Sequence, residues 1–440
     1  MSTMRGSMTV RQAAFIGVGA MVGAGIFALL GEAGAVAGAA VWLSFLVAGW
    51  IAGLQGYSWA KLGTKFPSGS GLLEYITRGF GDAHVTGATC WLTFGSNVIV
   101  TALVSVSFGS YAASMFIGGD AATWWPKVFA VVLLVGMLWL NVVGSKAVAR
   151  VQSVIVWIVV GTLVVFSIVT VWNMDPSLLS VSLYPSVREI MASVALTFFA
   201  FLGFGVITFT AKDLSEPTRQ LPKAMYLALA IATATYVGVA LGVFGTLTVD
   251  EVIESGGTAI AVAAEPSLGQ LGFWLMGMIG LFATAGATNS GIYPVKGLSE
   301  ELSSNGQFPP VMGRSLRKVP IGMLIMVALT IGLAVGFDLG AIANIGSAVA
   351  LLIFSLVTIA HLRIRGQTGA RLTPLIAALL ATTVTLAIFV ATTLAEEPAA
   401  MSALVVTILL SIALDIGWKR LRHGRGPGTE VPSGARVSPS

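Results

Sequence analysis

The chain has 440 residues, of which 56 % are hydrophobic and only 10 % are charged. A water-soluble domain carries roughly 25 % charged residues, so this composition excludes a soluble globular protein and indicates an integral membrane protein. The formal net charge of +5 does not indicate nucleic-acid binding, because the Lys and Arg residues are spread over short loops, where anionic lipid is the expected neighbour.

Twelve apolar stretches are long enough to cross a hydrocarbon core of about 30 Å. They are residues 12–36, 40–64, 84–116, 126–143, 150–173, 188–211, 223–247, 269–298, 320–337, 339–362, 373–394 and 400–418. With a cytoplasmic N-terminus, all of the 24 Lys and Arg residues except Lys127 and Arg188 lie on the inner side, in agreement with the positive-inside rule. The sequence therefore predicts twelve transmembrane helices with both termini in the cytoplasm.

Four regions follow from these spans. Residues 1–11 form a cytoplasmic N-terminus, 12–365 a ten-helix core and 366–421 two additional helices. Residues 422–440 are rich in Gly, Pro and Ser, a composition that predicts a disordered cytoplasmic tail.

Two spans carry an interruption near the middle. The first is Gly23-Ala24-Gly25 in AFIGVGAMVGAGIFALLG, and the second is Phe201 to Phe204 in LTFFAFLGFGVITF. Backbone groups without a partner are tolerated inside a membrane only where protein or water satisfies them. Because these are the first and sixth spans, each opens a set of five, which predicts an all-α, five-plus-five inverted repeat with helices one and six discontinuous and a site at the bilayer midplane.

The interruptions suit a zwitterion. A carboxylate is stabilised by free N–H groups at a helix N-terminus, and an ammonium group by carbonyls at a helix C-terminus. The ionisable residues Glu32, Lys296 and Asp415 all lie toward span ends, so backbone groups are the expected partners. Close helix packing is the alternative for Gly19-x-x-x-Gly23 alone, but the second interruption favours binding.

Several motifs resemble those of one known family. GVGAMVGAGIF resembles the first-helix signature of the amino acid, polyamine and organocation permeases, and FFAFLGF followed by SEPTRQLPKA resembles their sixth helix and the loop after it. FPSGSGLLEYI, NVVGSKAVARVQ and SNGQFPP match further motifs in the expected order. The resemblance covers residues 10 to about 365. It implies a LeuT-like fold and secondary active transport. The residues themselves predict no cofactor, no metal and no enzymatic activity.

The resemblance also implies a binding site. In the family, amides of the first interruption hold the substrate carboxylate, carbonyls before it and in the second hold the amine, and an aromatic residue covers the substrate. Asn97 matches a position of polar contact, although a hydrogen bond to a neighbouring helix fits it equally. The implied set is Met21, Gly23, Ala24, Gly25, Asn97, Phe199, Ala200, Phe201, Leu202 and Gly203. Weaker pocket candidates, most of them expected to be structural, are Thr284, Thr288, Asn289, Asn344 and Ser347.

Two positions depart from the family pattern. Many members carry a lysine in the fifth helix where this chain has Val159, and an acidic residue after Gly-Phe in the sixth helix where it has Gly205. Both changes favour a neutral substrate. They leave open whether a proton or a sodium ion drives transport.

The sequence therefore predicts a plasma-membrane permease that moves a neutral amino acid by alternating access. Its other expected partner is the lipid bilayer, and no nucleic acid is expected to bind. An amine or polyamine carrier or an amino acid exchanger of the same fold is the nearest alternative. A non-transporting nutrient receptor or assembly subunit is the alternative from another class. A membrane enzyme is disfavoured, because His84, His361 and His423 lie far apart and one cysteine provides no metal-site spacing.

Overall fold

A computed structural model describes residues 8–67, 71–118, 124–143, 146–317 and 319–424. Within these ranges the chain forms sixteen α-helices: α1 (Val10–Ala24), α2 (Ile26–Ala37), α3 (Val41–Lys65), α4 (Leu72–Phe80), α5 (His84–Phe116), α6 (Trp125–Val143), α7 (Lys146–Trp172), α8 (Val187–Phe199), α9 (Pro217–Phe244), α10 (Val249–Ser255), α11 (Ala259–Ile292), α12 (Val295–Ser304), α13 (Ile321–Gly336), α14 (Leu339–Thr368), α15 (Leu372–Phe389) and α16 (Pro398–Gly424). The only sheet in these ranges is the antiparallel pair β1 (Ser315–Leu316) and β2 (Val319–Pro320).

The helices confirm an all-α membrane protein. Ten stretches of the described chain are long and apolar enough to cross a membrane, and Val10–Gly23 and Ile321–Gly336 are shorter apolar helices. The number of spans and the domain boundaries stay predictions. Helix α16 runs to Gly424, three residues into the predicted tail, and residues 425–440 lie outside the described part of the chain.

The first span is broken at a single residue. Helix α1 starts with a capping box in which Thr9 and Gln12 bond to each other's backbone N–H groups. It ends at Ala24, and α2 begins at Ile26, so Gly25 alone separates them. The backbone of Gly25 stays close to helical values, with φ −87° and ψ −75°. The first interruption is therefore one residue wide, whereas the sequence predicted the three residues Gly23-Ala24-Gly25.

The sixth span changes its helix type. Helix α8 ends at Phe199, a turn follows at Ala200 and Phe201, and a 3-10 helix then runs over Leu202–Lys212. The Phe201 N–H group donates to Phe198 O at 2.9 Å, three residues back, so the tighter winding begins in the turn. The interruption thus starts at Ala200, one residue before the predicted position. We name Gly25 the first break and Ala200–Phe201 the second break.

The two broken spans cross at very close range. A Cβ atom on Gly203 would lie 2.5 Å from Met21 N and 2.6 Å from Ala20 O. Since both obstacles are backbone atoms, only glycine allows the 3-10 helix to lie against α1 here. This contact fixes the two breaks side by side.

Candidate functional site

The first break touches the second break directly. A Cβ atom on Gly25 would lie 2.8 Å from both Ala200 Cβ and Ala200 O, and 2.5 Å from Tyr236 Oη. Such distances are shorter than van der Waals contact, so the absence of a side chain at Gly25 lets the breaks meet. The sequence predicted both interruptions, and the structure brings them together.

Tyr236 of α9 lies between the two breaks. Its side chain is fully buried, and its hydroxyl group donates a hydrogen bond to Ala200 O at 3.0 Å. Its ring packs against Phe201 and Phe45, with centroid distances of 5.1 and 5.4 Å. The sequence analysis missed this residue. The available signal was a tyrosine in mid-span, because a buried tyrosine hydroxyl needs a partner.

Backbone hydrogen-bond donors and acceptors both lie at the first break. The Gly25 N–H group donates to Met21 O at 2.9 Å, and Gly25 O accepts from the Leu29 N–H group at 3.0 Å. A carbonyl oxygen has a second lone pair, so the bond from Gly25 does not saturate Met21 O. The end of a helix leaves its last carbonyls, and the start leaves its first N–H groups, without partners in that helix. At Gly25 the carbonyl end of α1 therefore meets the N–H end of α2, and the two helix dipoles suit opposite charges.

An apolar wall lies beside the second break. Gly346 of α14 packs against Phe199, with 2.5 Å between an added Cβ atom and Phe199 Cζ, and 3.0 Å to Ile99 Cγ2. Phe199 and Phe201 are both buried. The wall therefore joins α8, α5 and α14 around the break.

The predicted site residues divide into two groups. The structure brings together Met21, Gly25, Phe199, Ala200, Phe201, Leu202 and Gly203 at the two breaks. Gly23 instead faces α11, since its added Cβ atom would lie 3.1 Å from Ala283 O. Ala24 ends α1. These placements do not test substrate contact, so the binding roles stay predictions.

Asn97 lies in a polar seam between α5 and α11. Its Nδ2 atom donates to Gly291 O at 2.9 Å, which is the helix-to-helix bond that the sequence allowed as an alternative. Four further polar residues are also bonded: Thr284 to Gly280 O, Thr288 to Ser105, Asn289 to Asn141 and Asn344 to Glu397. Packing contacts thus engage all of these side chains.

A cavity of about 20 Å³ lies beside Gly23, between α1, α7 and α11. This volume suits a single water molecule. Val159 lines it, and every other lining residue is Gly, Ala, Val, Ile or Phe. The position where related chains carry a lysine is therefore surrounded by apolar side chains.

Trp59 occupies the space beside Gly205. An added Cβ atom on Gly205 would lie 2.7 Å from Trp59 Cζ3. The indole also stacks on Phe354 and meets Phe204 edge-on, with centroid distances of 5.2 and 5.7 Å. An acidic side chain at position 205 would collide with this aromatic cluster, which explains the glycine physically.

Comparisons with known proteins found a matching family model and similar chains. A family model described as Amino acid permease matches residues 8–414. The inner membrane transport protein YbaT of Escherichia coli is 30 % identical over 406 residues, covering 92 % of this chain and 94 % of that protein. The uncharacterized protein MJ0609 of Methanocaldococcus jannaschii is 32 % identical over 366 residues, covering 83 % and 84 %.

A solved structure has a similar fold. It is a mutant of the Eremococcus coleocola manganese transporter, with a TM-score of 0.63 and coverage of 96 % of this chain and 97 % of that one. The sequence identity is 11 %. The likeness therefore concerns the fold alone.

Proposed function

The chain belongs to the amino acid permease family and is a multi-pass secondary transporter, and we propose that it carries a neutral amino acid by alternating access around the two breaks. The observation that supports this most is the contact of Gly25 with Ala200. It brings the first break, where α2 begins, against the carbonyl of Ala200, and the nearest contacts of Gly25 include no charged side chain. The family description agrees with such a substrate.

The headgroup would bind through backbone groups. The carboxylate would take the N–H groups at the start of α2, and the ammonium group would take Met21 O and Ala200 O. Tyr236 already donates to Ala200 O. When the ammonium group binds, the tyrosine hydroxyl would therefore either share this carbonyl with it or give up its own hydrogen bond. These bonds would shift an inward–outward equilibrium to the extent that they form better in one state than in the other.

Two observations support a neutral substrate. Tyr236, whose side chain contacts both breaks, is uncharged. The aromatic cluster at Gly205 replaces the acidic partner that a cationic substrate would use. We further propose the plasma membrane as location, with both termini cytoplasmic.

Purified protein in liposomes tests this function. Saturable counterflow of a labelled neutral amino acid is expected, along with a ligand-induced rise in apparent melting temperature, since a ligand that binds the folded form stabilises it by mass action. Repeating the measurement across pH and sodium concentration identifies the coupling ion. Tight binding without flux would favour a receptor, and product formation an enzyme; either result would overturn the proposal.

Tyr236→Phe should destabilise the protein. Removal of the hydroxyl leaves the buried Ala200 carbonyl without its partner, at a cost of about 1–3 kcal/mol. The apparent melting temperature in detergent should fall without ligand, and the rise on adding substrate should be larger than in the parent protein, since the ammonium group takes over the carbonyl.

Tyr111→Phe is the matched control for Tyr236→Phe. Tyr111 is equally buried, and its hydroxyl has no hydrogen-bond partner among the described residues. Loss of that hydroxyl should leave stability unchanged or raise it. Equal melting temperatures for the two variants would contradict a stabilising role for the Tyr236 bond.

A further inference from the structure

A second cavity, of about 340 Å³, lies near the C-terminal end of α16. Trp418 of α16 donates through Nε1 to Gly306 O at 2.9 Å, and the next residue, Gln307, lines the cavity. The volume falls in the range of about 300–1,000 Å³ that is usual for small-molecule sites. No residue of the two broken spans lines this cavity, so it is separate from the site at the breaks.

The polar walls of the cavity are acidic. The lining side chains that carry a carboxyl, amide or hydroxyl group are Glu74, Thr77, Asp82, Glu301, Asn305 and Gln307, and no Lys, Arg or His of the described chain lines it. Glu74 is paired with Arg78. The carboxylate of Glu301, half-buried on α12, forms no hydrogen bond or ion pair with any described residue. The lining therefore carries negative charge that the protein balances only in part.

Gln307 provides a second observation, which points to a ligand. Its side chain is only 8 % exposed, and its Nε2 atom donates to Asp82 Oδ1 at 3.0 Å. Because an ionised carboxylate only accepts hydrogen bonds, this bond fixes which end of the amide is nitrogen. The other end, Oε1, has no hydrogen-bond partner among the described residues. A buried polar group in that state is costly and rare.

The free oxygen of Gln307 lies on the α5 side of the cavity. A Cβ atom added to Gly87 would lie 3.1 Å from Gln307 Oε1. Cys90, three residues further along α5, lines the cavity, and residues at this spacing share a helix face. The unpartnered oxygen and the free carboxylate of Glu301 therefore border the same cavity.

The ion cluster next to Gly87 does not supply the missing donor. Asp415 Oδ1 also contacts the position of an added Gly87 Cβ atom, but an ionised carboxylate has no proton to donate. Lys419 is engaged elsewhere, because its Nζ atom lies 3.0 Å from Asp415 Oδ1 and donates to Ala83 O at 3.0 Å. The donor for Gln307 must therefore come from outside the described chain.

We infer that this cavity binds a linear diamine or polyamine. A donor beside carboxylates is favoured when it carries positive charge, and an ammonium group offers three N–H donors. One metal ion does not fit, because the described residues include no group of three His, Cys, Asp or Glu side chains that could hold it. A chain with ammonium groups at intervals matches carboxylates that are spread apart. Its ammonium groups take the Glu301 carboxylate and the Gln307 carbonyl oxygen, neither of which has a donor within the described chain.

The amine enters from the side of the membrane that we propose to be cytoplasmic. Thr77, Asp82 and Asn305 are exposed, so the cavity opens to water. Glu74 lies on α4 and Glu301 on α12, so one bound amine joins the segments that follow the second and eighth predicted spans. The inference does not rest on the proposed function, because the two sites share no residue.

Amine binding to the full-length protein in detergent tests the inference. Dissociation constants are measured by calorimetry for spermidine, putrescine and butylamine, the last of which has a single ammonium group. Spermidine and putrescine should bind about 10-fold or more tightly than butylamine, because butylamine forgoes a charged hydrogen bond. High salt should weaken binding through screening. Absence of spermidine binding, or equal affinities for the three amines, would overturn the inference.

Glu301→Gln locates the amine in the cavity. It should weaken spermidine binding about 10-fold or more and leave the apparent melting temperature without amine unchanged, since Glu301 has no partner to lose. Glu300→Gln is the matched control, because it removes the same charge from the adjacent residue, which is exposed and does not line the cavity. It should bind spermidine like the parent. Equal losses in both variants would indicate general attraction to an acidic surface and would contradict a site in the cavity.

Gly25→Leu separates this cavity from the site at the breaks. The leucine side chain fills the space proposed for the amino acid headgroup, yet spermidine affinity should equal that of the parent protein. Loss of spermidine binding in Gly25→Leu, with normal binding in Glu301→Gln, would place the amine at the breaks and overturn the inference. Failure of the parent protein to transport any amino acid would remove the proposed function alone, because amine binding is measured by itself.

Discussion

Gly25→Ala should reduce amino acid uptake by about 10-fold or more, because overpacking a well-packed interior costs about 1–3 kcal/mol. The new methyl group would lie 2.5 Å from Tyr236 Oη and 2.8 Å from Ala200 O. It would separate the two breaks and block the space proposed for the headgroup. Gly25→Leu should abolish uptake. Since φ is −87°, alanine and leucine tolerate the backbone there, and the expected effect is purely steric.

The measurement is initial uptake into proteoliposomes, normalised to protein reconstituted. Gly53→Ala and Gly53→Leu on α3 are matched controls, because no atom lies within 4 Å of a Cβ atom added there. Both should transport like the parent protein. Normal uptake by Gly25→Leu, at normal membrane levels, would remove the first break from the proposed site.

The glycine pattern of the sequence was sufficient to predict that the first and sixth spans break. Gly23 and Gly25 indicated the first interruption, and Gly203 the second, because glycine weakens a helix wherever it lies. The pattern could not predict the width of each break. Gly25 keeps near-helical angles because its N–H group still bonds Met21 O, and that bond depends on three-dimensional context.

The sequence could not predict which residue each side chain contacts. A polar residue in an apolar span predicts some partner, and Asn97 has one in Gly291 O, but the choice of helix depends on packing. Tyr236 was missed for the same reason. Gly205 was noted as a lost acid, whereas the structure shows that Trp59 fills its place. Such pairings join residues far apart along the chain.

Gly203→Ala should be the most damaging substitution at the crossing of the first and sixth spans. The added Cβ atom would lie 2.5 Å from Met21 N and 2.6 Å from Ala20 O. Backbone atoms cannot turn away as a side chain can, so α1 and the 3-10 helix must move apart. We expect loss of uptake and a lower apparent melting temperature, at a cost of about 1–3 kcal/mol or more.

A second glycine at the same crossing allows a direct comparison. An added Cβ atom on Gly17 would lie 2.5 Å from Ile207 Cγ1, which is a side-chain atom. Gly17→Ala should therefore also impair transport, but the additional substitution Ile207→Ala should restore it by removing the obstacle.

Gly203→Ala should not be restored by Ala20→Gly, because the obstructing atoms of Ala20 belong to its backbone and remain after its methyl group is removed. Uptake and melting temperature of the four single and double variants measure the difference. Rescue of Gly203→Ala by Ala20→Gly would mean that side-chain packing, and not backbone contact, holds the two spans together. Failure of that rescue, with recovery at Gly17, would establish that direct backbone contact sets the distance between the two breaks on which the proposed site depends.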